Sequence, residues 1–195
     1  MTADRGADRY DAVAIALHWL IALLLIANWP LGFFGEAIED RLGSSLVWLH
    51  KSLGLTVLAL SLMRLAWRLA HKPPPLPPMS VARAVGARIS HAGLYALMIL
   101  LPLSGWLRTS PGAYPLTWFG LLELPKFPIA RGSPEAALAS AVHAWLGWAM
   151  LALVLLHVAA ALHHQMRLRD GLMLRMHPRH CFAFLARRKE QQGHC

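Results

Sequence analysis

AALASAVHAWLGWAMLALVLLHVAAALHHQ, residues 136–165, decides the fold. It carries no Asp, Glu, Lys or Arg and exceeds the roughly 20 apolar residues that a helix needs to cross a bilayer. Two histidines, His143 and His157, sit inside it. Their spacing places them about 40° apart in azimuth on one helical face and about 21 Å apart along the axis. An ionisable side chain facing lipid is costly, so each imidazole is expected to face the protein interior and to need a partner there. One helix thus offers a ligand near either membrane surface, and the rest of the chain is expected to supply the other half of each site.

Working outward, three further apolar blocks of spanning length are predicted, at 12–34, 46–69 and 87–107, with the fourth at 136–165. The hydrophobic share is 56% of 195 residues and the mean hydropathy is +0.44. Apolar residues gathered into blocks of this length define a polytopic helical membrane protein rather than a soluble domain. The opening MTADRGADRYD has neither the n-region nor the cleavage pattern of a removable signal. A net charge of +9 could suggest nucleic acid, but its distribution does not. Fourteen of the 19 Lys and Arg fall before the first block, from the last turns of the second to the start of the third, or after the fourth. That bias predicts both termini in the cytoplasm. The expected organisation is a cytoplasmic N-terminus at 1–11, a four-helix transmembrane domain at 12–176 and a basic cytoplasmic tail at 177–195. Cys181 and Cys195 lie in that tail without metal-binding spacing.

Each block carries chemistry at a readable depth. The first holds His18 toward the cytoplasmic side, and Trp29-Pro30 predicts a kink or an end near its outer terminus. The acidic outer loop GEAIEDRLGSS follows, and then His50 near the outer end of the second block. HKPPPLPPM cannot be helical and reads as a stiff connector. The third block has His91 near the cytoplasm and Pro102 and Gly105 toward the outside. In the long outer loop, TWFGLLELP is apolar enough to form a short helical cap. Ser133-Pro134-Glu135 has the form of a helix start.

Odd spans run outward and even spans inward, so depth pairs His50 with His143 at the outer level and His18 with His157 at the inner one. Two imidazoles facing each other inside a helical bundle are a standard way to hold b-type haem. A bare zinc ion would want three or four protein ligands at each level, and no Cys, Asp or Glu stands at matching depth. Gly54 and Gly147 each lie four residues after an outer histidine, on the same helical face, where a missing side chain gives a flat macrocycle room. His91 is a rival to His18 for the inner site. His91 and Arg88, with His163 or His164, could line a polar pocket for a quinone carbonyl, where an imidazole can move the accompanying proton. Arg64, Arg68 and Lys51 lie at depths suited to haem propionates, and Trp145 and Trp148 are placed to pack on a porphyrin.

ALHWL around His18, WLHKSLG around His50, SHAGLYALMILLPLSGW, VHAWLGW around His143, LLHVAAALHHQ around His157 and the closing RDGLMLRM together resemble the bacterial cytochrome b561 family of di-haem membrane proteins. The resemblance covers about residues 10–176. It implies an all-α four-helix bundle of the inner membrane with two haem b groups on His18, His50, His143 and His157. It further implies electron transfer between a periplasmic donor and membrane quinone, ubiquinone being the expected one, and superoxide oxidation for some members. His164 matches the histidine that precedes the RDG segment in that family and is a quinone-site candidate. The expected partners are the lipid bilayer, the quinone, a small periplasmic donor and a partner redox protein, with no nucleic acid. Two other readings remain open on the residues: a haem-bearing anchor that relays electrons for a dehydrogenase or hydrogenase, and a haem-free proton-coupled transporter.

Overall fold

The computed structural model describes residues 9–42, 46–75, 79–168 and 170–177. Four long helices dominate it: α1 Ala12–Leu42, α2 Leu46–Ala70, α3 Val81–Thr109 and α4 Pro134–His163. All four are long and apolar enough to cross a membrane. They overrun the apolar blocks because helix continues into polar flanks that pair their own backbone. The apolar part of α1 ends at Gly35 while the helix runs to Leu42. Pro30 neither ends the helix nor leaves it unsupported. It withdraws one donor from the ladder, a loss that neighbouring helices allow inside a bundle. The tail 178–195, with Cys181 and Cys195, lies outside the described residues.

The start of α4 follows from its sequence. Ser133 is the N-cap, its hydroxyl accepting the Ala136 amide at 3.3 Å, and Pro134 occupies the first turn, where a missing N–H costs nothing. Consecutive helices pack as two hairpins, α1 on α2 and α3 on α4, and the hairpins join through α2 and α3. At mid-depth Ile21, Met98 and Met150 form a buried cluster surrounded by Leu25, Leu60, Leu94 and Val154. In lipid, such contacts hold helices together by close packing, since the tails outside are as apolar as the interior. The outward faces are correspondingly apolar, as at Leu23, Ile26, Leu62, Ile89 and Leu155.

The long α3–α4 loop departs from the expected helical cap. Leu116–Trp118 (β1) and Leu122–Leu124 (β2) pair antiparallel, Trp118 opposite Leu122. The turn between them puts Phe119 at φ 50° and Gly120 at φ 72°, the two left-handed positions of a primed hairpin turn, closed by Leu121 N–H to Trp118 O at 2.9 Å. Helix is not needed because the hairpin pairs its own backbone and α2 holds it: Ser52 Oγ accepts the Phe119 amide at 3.1 Å, and the Trp118 side chain donates through Nε1 to Thr56 Oγ1 at 3.0 Å. The segment is still a cap, but a β-hairpin laid on the hairpin end of the bundle.

At the opposite, basic end the RDGLMLRM segment folds back. After a π-helical turn at His164–Leu168, Gly171 takes φ 73° and Leu172–Met176 forms a 3-10 turn. Arg9 Nη2 donates to Leu174 O at 2.8 Å, Trp19 Nε1 to Met176 O at 2.7 Å and Arg175 Nη1 to Pro75 O at 2.6 Å. These bonds clasp the end of the bundle to both α1 and the proline connector.

Candidate functional site: two imidazole layers

Four helices bring five histidines into two layers. Near the hairpin end, His50 of α2 and His143 of α4 face one another with ring centres 6.2 Å apart and planes at 76°. Near the basic end, His18 of α1 and His157 of α4 stand 6.3 Å apart at 67°. His91 of α3 approaches His157 more closely, at 5.5 Å. Between the layers lies the Ile21, Met98 and Met150 cluster.

These separations can be tested against metal ligation. With a metal–imidazole bond of about 2.0–2.1 Å and a ring centre about 1.1 Å behind its nitrogen, two rings on opposite sides of one ion have centres about 6.2 Å apart. Both cross-bundle pairs match that spacing, whereas His91 and His157 are closer than it allows. Among the described residues no group of three or more His, Cys, Asp or Glu is arranged around a bare ion. Two opposed imidazoles with no third protein ligand around a shared ion suit iron already held by four equatorial nitrogens, as in haem.

The hydrogen bonds on the far side of each ring fix how it is presented. His50 Nδ1 lies 3.1 Å from Asn28 O, and His143 Nδ1 lies 3.2 Å from Leu101 O and 3.0 Å from Ser104 Oγ. The Ser104 hydroxyl donates to Leu101 O at 2.7 Å, so toward His143 it accepts. Carbonyl oxygens only accept, so both rings carry their proton on Nδ1 and keep the Nε2 lone pair for a metal. His18 is held differently. Arg64 Nη1 approaches its Nδ1 at 2.8 Å, and Arg64 Nε donates to Tyr95 Oη at 3.1 Å.

Besides Leu101, whose carbonyl meets His143 Nδ1, four residues of this site were not picked out as site residues from the sequence. Gly32 and Gly105 back the hairpin-end rings: a Cβ at Gly32 would stand 2.7 Å from His50 Cε1, and one at Gly105 3.0 Å from His143 Cε1. Ser104 and Asn28 supply the Nδ1 partners. Asn28 is 8% exposed, and its Oδ1 is buried with no hydrogen-bond partner. The signal available in sequence for Gly32 and Gly105 was a glycine at histidine depth on the neighbouring helix. The Cβ positions of Gly54 and Gly147 meet Asn28 Nδ2 at 3.7 Å and Phe33 Cζ at 3.8 Å, ordinary contacts rather than a histidine ring. Trp145 turns outward, 75% exposed, and Trp148 packs on Phe33 with ring centres 4.6 Å apart.

His164, His91 and Arg88 are set apart in their contacts. His91 faces His157, Arg88 is exposed on α3, and His164 Nδ1 pairs with Asp170 Oδ2 at 2.5 Å. The slight burial of Asp170 raises its pKa, but the hydrogen bonds from His164 and the Leu172 amide outweigh this and hold the carboxyl below its ordinary range.

Membrane-length helices whose interior faces carry opposed imidazole pairs define the class of helical membrane cytochromes. Residues 9–179 match the family model described as prokaryotic cytochrome b561. Cytochrome b561 homolog 2 of Escherichia coli (strain K12) is 31% identical over 179 residues, which cover 90% of this chain and 95% of that protein. A protein of Yersinia pestis named "Probable superoxide oxidase CybB" is 30% identical over 176 residues, covering 88% and 97%. Cytochrome b562 of Cereibacter sphaeroides is 30% identical over 182 residues, covering 90% and 98%. The chain belongs to the prokaryotic cytochrome b561 family, a family of membrane cytochromes with b-type haem.

Proposed function

We propose that this protein is a di-haem b-type cytochrome of the bacterial inner membrane, both termini cytoplasmic, that carries single electrons between a small periplasmic donor and membrane ubiquinone. The observation that carries the reading is the pair of ring-centre separations, 6.2 Å for His50 and His143 and 6.3 Å for His18 and His157. His50 and His143 would hold one haem and His18 and His157 the other. Bound haem supplies one-electron chemistry, its iron changing valence while the coordination stays fixed.

The chain's own residues do the rest. The Asn28 and Leu101 carbonyls and the Ser104 hydroxyl hold the outer imidazoles in the ligating tautomer. The Ile21, Met98 and Met150 layer keeps water out between the two sites. At the basic end His164, with His91 and Arg88, is the candidate quinone pocket, and the His164 Nδ1 to Asp170 Oδ2 pair can deliver the proton that quinone reduction consumes. The relative named as a probable superoxide oxidase makes superoxide the first donor to test. In that reaction two superoxide anions each lose one electron and leave as O2, while one quinone gains two electrons and two protons. Gly54 and Gly147 remain candidate positions for the porphyrin faces.

The test is a reduced-minus-oxidised spectrum of the purified chain with haem counted per polypeptide. Two b-type haems are expected, with one lost in His143→Ala and one in His157→Ala. A chain without a sharp b-type α-band would end the proposal. Ubiquinone reduction driven by an enzymatic superoxide source then tests the donor.

A further inference from the structure

At the basic end a cavity of about 560 Å³ opens between the start of α1, the last turns of α2 and the proline connector. Four cationic side chains line it, Arg9, Arg64, Arg68 and Lys72. Its carboxylate, Asp11, is already engaged: it accepts from Trp67 Nε1 at 3.0 and 3.1 Å and from the Ala14 amide at 2.8 Å. Arg9 Nε is buried there with no acceptor, although its Nη2 reaches Leu174 O. Positive charge in such excess, walled by low-dielectric protein, attracts an anion.

Arg64 connects this cavity to the imidazole layer. A guanidinium has donors only, so against Arg64 Nη1 the Nδ1 of His18 must accept. A neutral imidazole that accepts at Nδ1 carries its proton on Nε2 and cannot offer that nitrogen to a metal. His50 and His143 are in the opposite tautomer, each Nδ1 donating to a carbonyl. His18 therefore becomes a ligand only when Arg64 lets go of it. On the reading that His18 and His157 hold a porphyrin, we propose that the cavity binds that porphyrin's carboxylates and that their arrival draws Arg64 off His18 Nδ1, freeing His18 to ligate.

Porphyrin carboxylates suit the place better than a lipid phosphate. Arg64 spans from His18 to the cavity wall with one side chain, so a ring gripped by His18 carries its carboxylates within reach of Arg64 and Arg68. At His50 and His143 the Nδ1 positions are taken by carbonyls, so no cation has to move for either ring to ligate.

The test isolates the basic-end site in full-length His143→Ala protein, made in haem-limited cells and held in bilayer discs of neutral lipid. Protohaem and its dimethyl ester, which lacks the carboxylate charge, are titrated by absorbance. Protohaem is expected to bind at least tenfold more tightly than the ester. Arg68→Gln should weaken protohaem and leave the ester unchanged. Arg64→Gln should weaken protohaem yet tighten the ester, because the clamp on His18 is gone, and Arg64→Lys should restore the preference for protohaem. Equal binding of the two ligands by the parent, or equal weakening of both by Arg64→Gln and Arg68→Gln, overturns the proposal. So does a preference that vanishes when anionic lipid replaces neutral lipid, which would assign the cavity to a headgroup phosphate. If neither ligand gives a bis-imidazole spectrum, it is the haem reading of His18 and His157 that has failed.

Discussion

Replacing Gly32 by alanine should empty the outer site while leaving the inner one filled. The new methyl carbon would stand 2.7 Å from His50 Cε1, 3.2 Å from Nδ1 and 3.4 Å from Nε2. Carbon atoms rest at no less than about 3.5 Å, so the ring or α1 must give by about 0.8 Å. Moved that far, the 3.1 Å bond from His50 Nδ1 to Asn28 O lengthens to about 3.9 Å and ceases to be a hydrogen bond. A metal site tolerates about 0.2 Å of ligand displacement, a quarter of what the methyl demands. Overpacking of this kind costs about 1–3 kcal/mol, or roughly 5- to 150-fold in haem affinity at that site. Haem per chain, measured as the pyridine complex on protein purified at limiting haem, should fall from two toward one, with the basic-end spectrum intact. Gly86→Ala is the control, because nothing lies within 4 Å of its Cβ position. Retention of both haems at parental affinity in Gly32→Ala would refute the idea that this glycine seats the imidazole.

Other outcomes follow from the same contacts. Ser104→Ala removes one of two acceptors at His143 Nδ1 and leaves Leu101 O, so outer-site haem affinity should drop about tenfold, the low end for loss of a supporting hydrogen bond. Ser52→Ala strips the β-hairpin of the group that receives the Phe119 amide; about 1–3 kcal/mol of local stability should go, read as faster amide exchange over residues 116–124 with haem content unchanged. Phe119→Gly should slow that exchange, since it relieves a left-handed backbone at φ 50°. The depressed pKa of Asp170 has a defined sign: its contribution to the clasp is present above the ordinary carboxylate pKa of about 3.9 and is lost as pH falls through its lower folded value. Proteolysis of the segment after Leu168 should therefore accelerate in acid in the parent and show no such acid dependence in Asp170→Asn.

Helix number, the depth of each histidine and both cross-bundle pairs were legible because each depends on one regular period. A run of apolar residues sets a span, and fourteen residues return a helix to nearly the same face. What escaped were contacts between helices at one depth. Gly32 and Gly105 back imidazoles on α2 and α4, and no spacing within a single helix reveals which neighbour a glycine will face. TWFGLLELP was apolar enough for a surface helix, yet Phe119-Gly120 takes a primed turn without the usual asparagine, and Ser52 on distant α2 receives its amide. Arg64 was readable as a cation at the right depth, while its grip on His18 depended on how α1 and α2 pack.

On the proposed electron-transfer reading, the apolar layer of Ile21, Met98 and Met150 lies between two redox sites and exposes the transfer to the membrane voltage. His143 and His157 lie on one helix about 21 Å apart along its axis, against a hydrocarbon core of about 30 Å. A charge crossing the full core works against about 2.3 kcal/mol per 100 mV, so an electron passing between the layers works with or against about 1.6 kcal/mol. Each turnover would then move charge across most of the membrane field, and its direction would charge or discharge the cell's own potential.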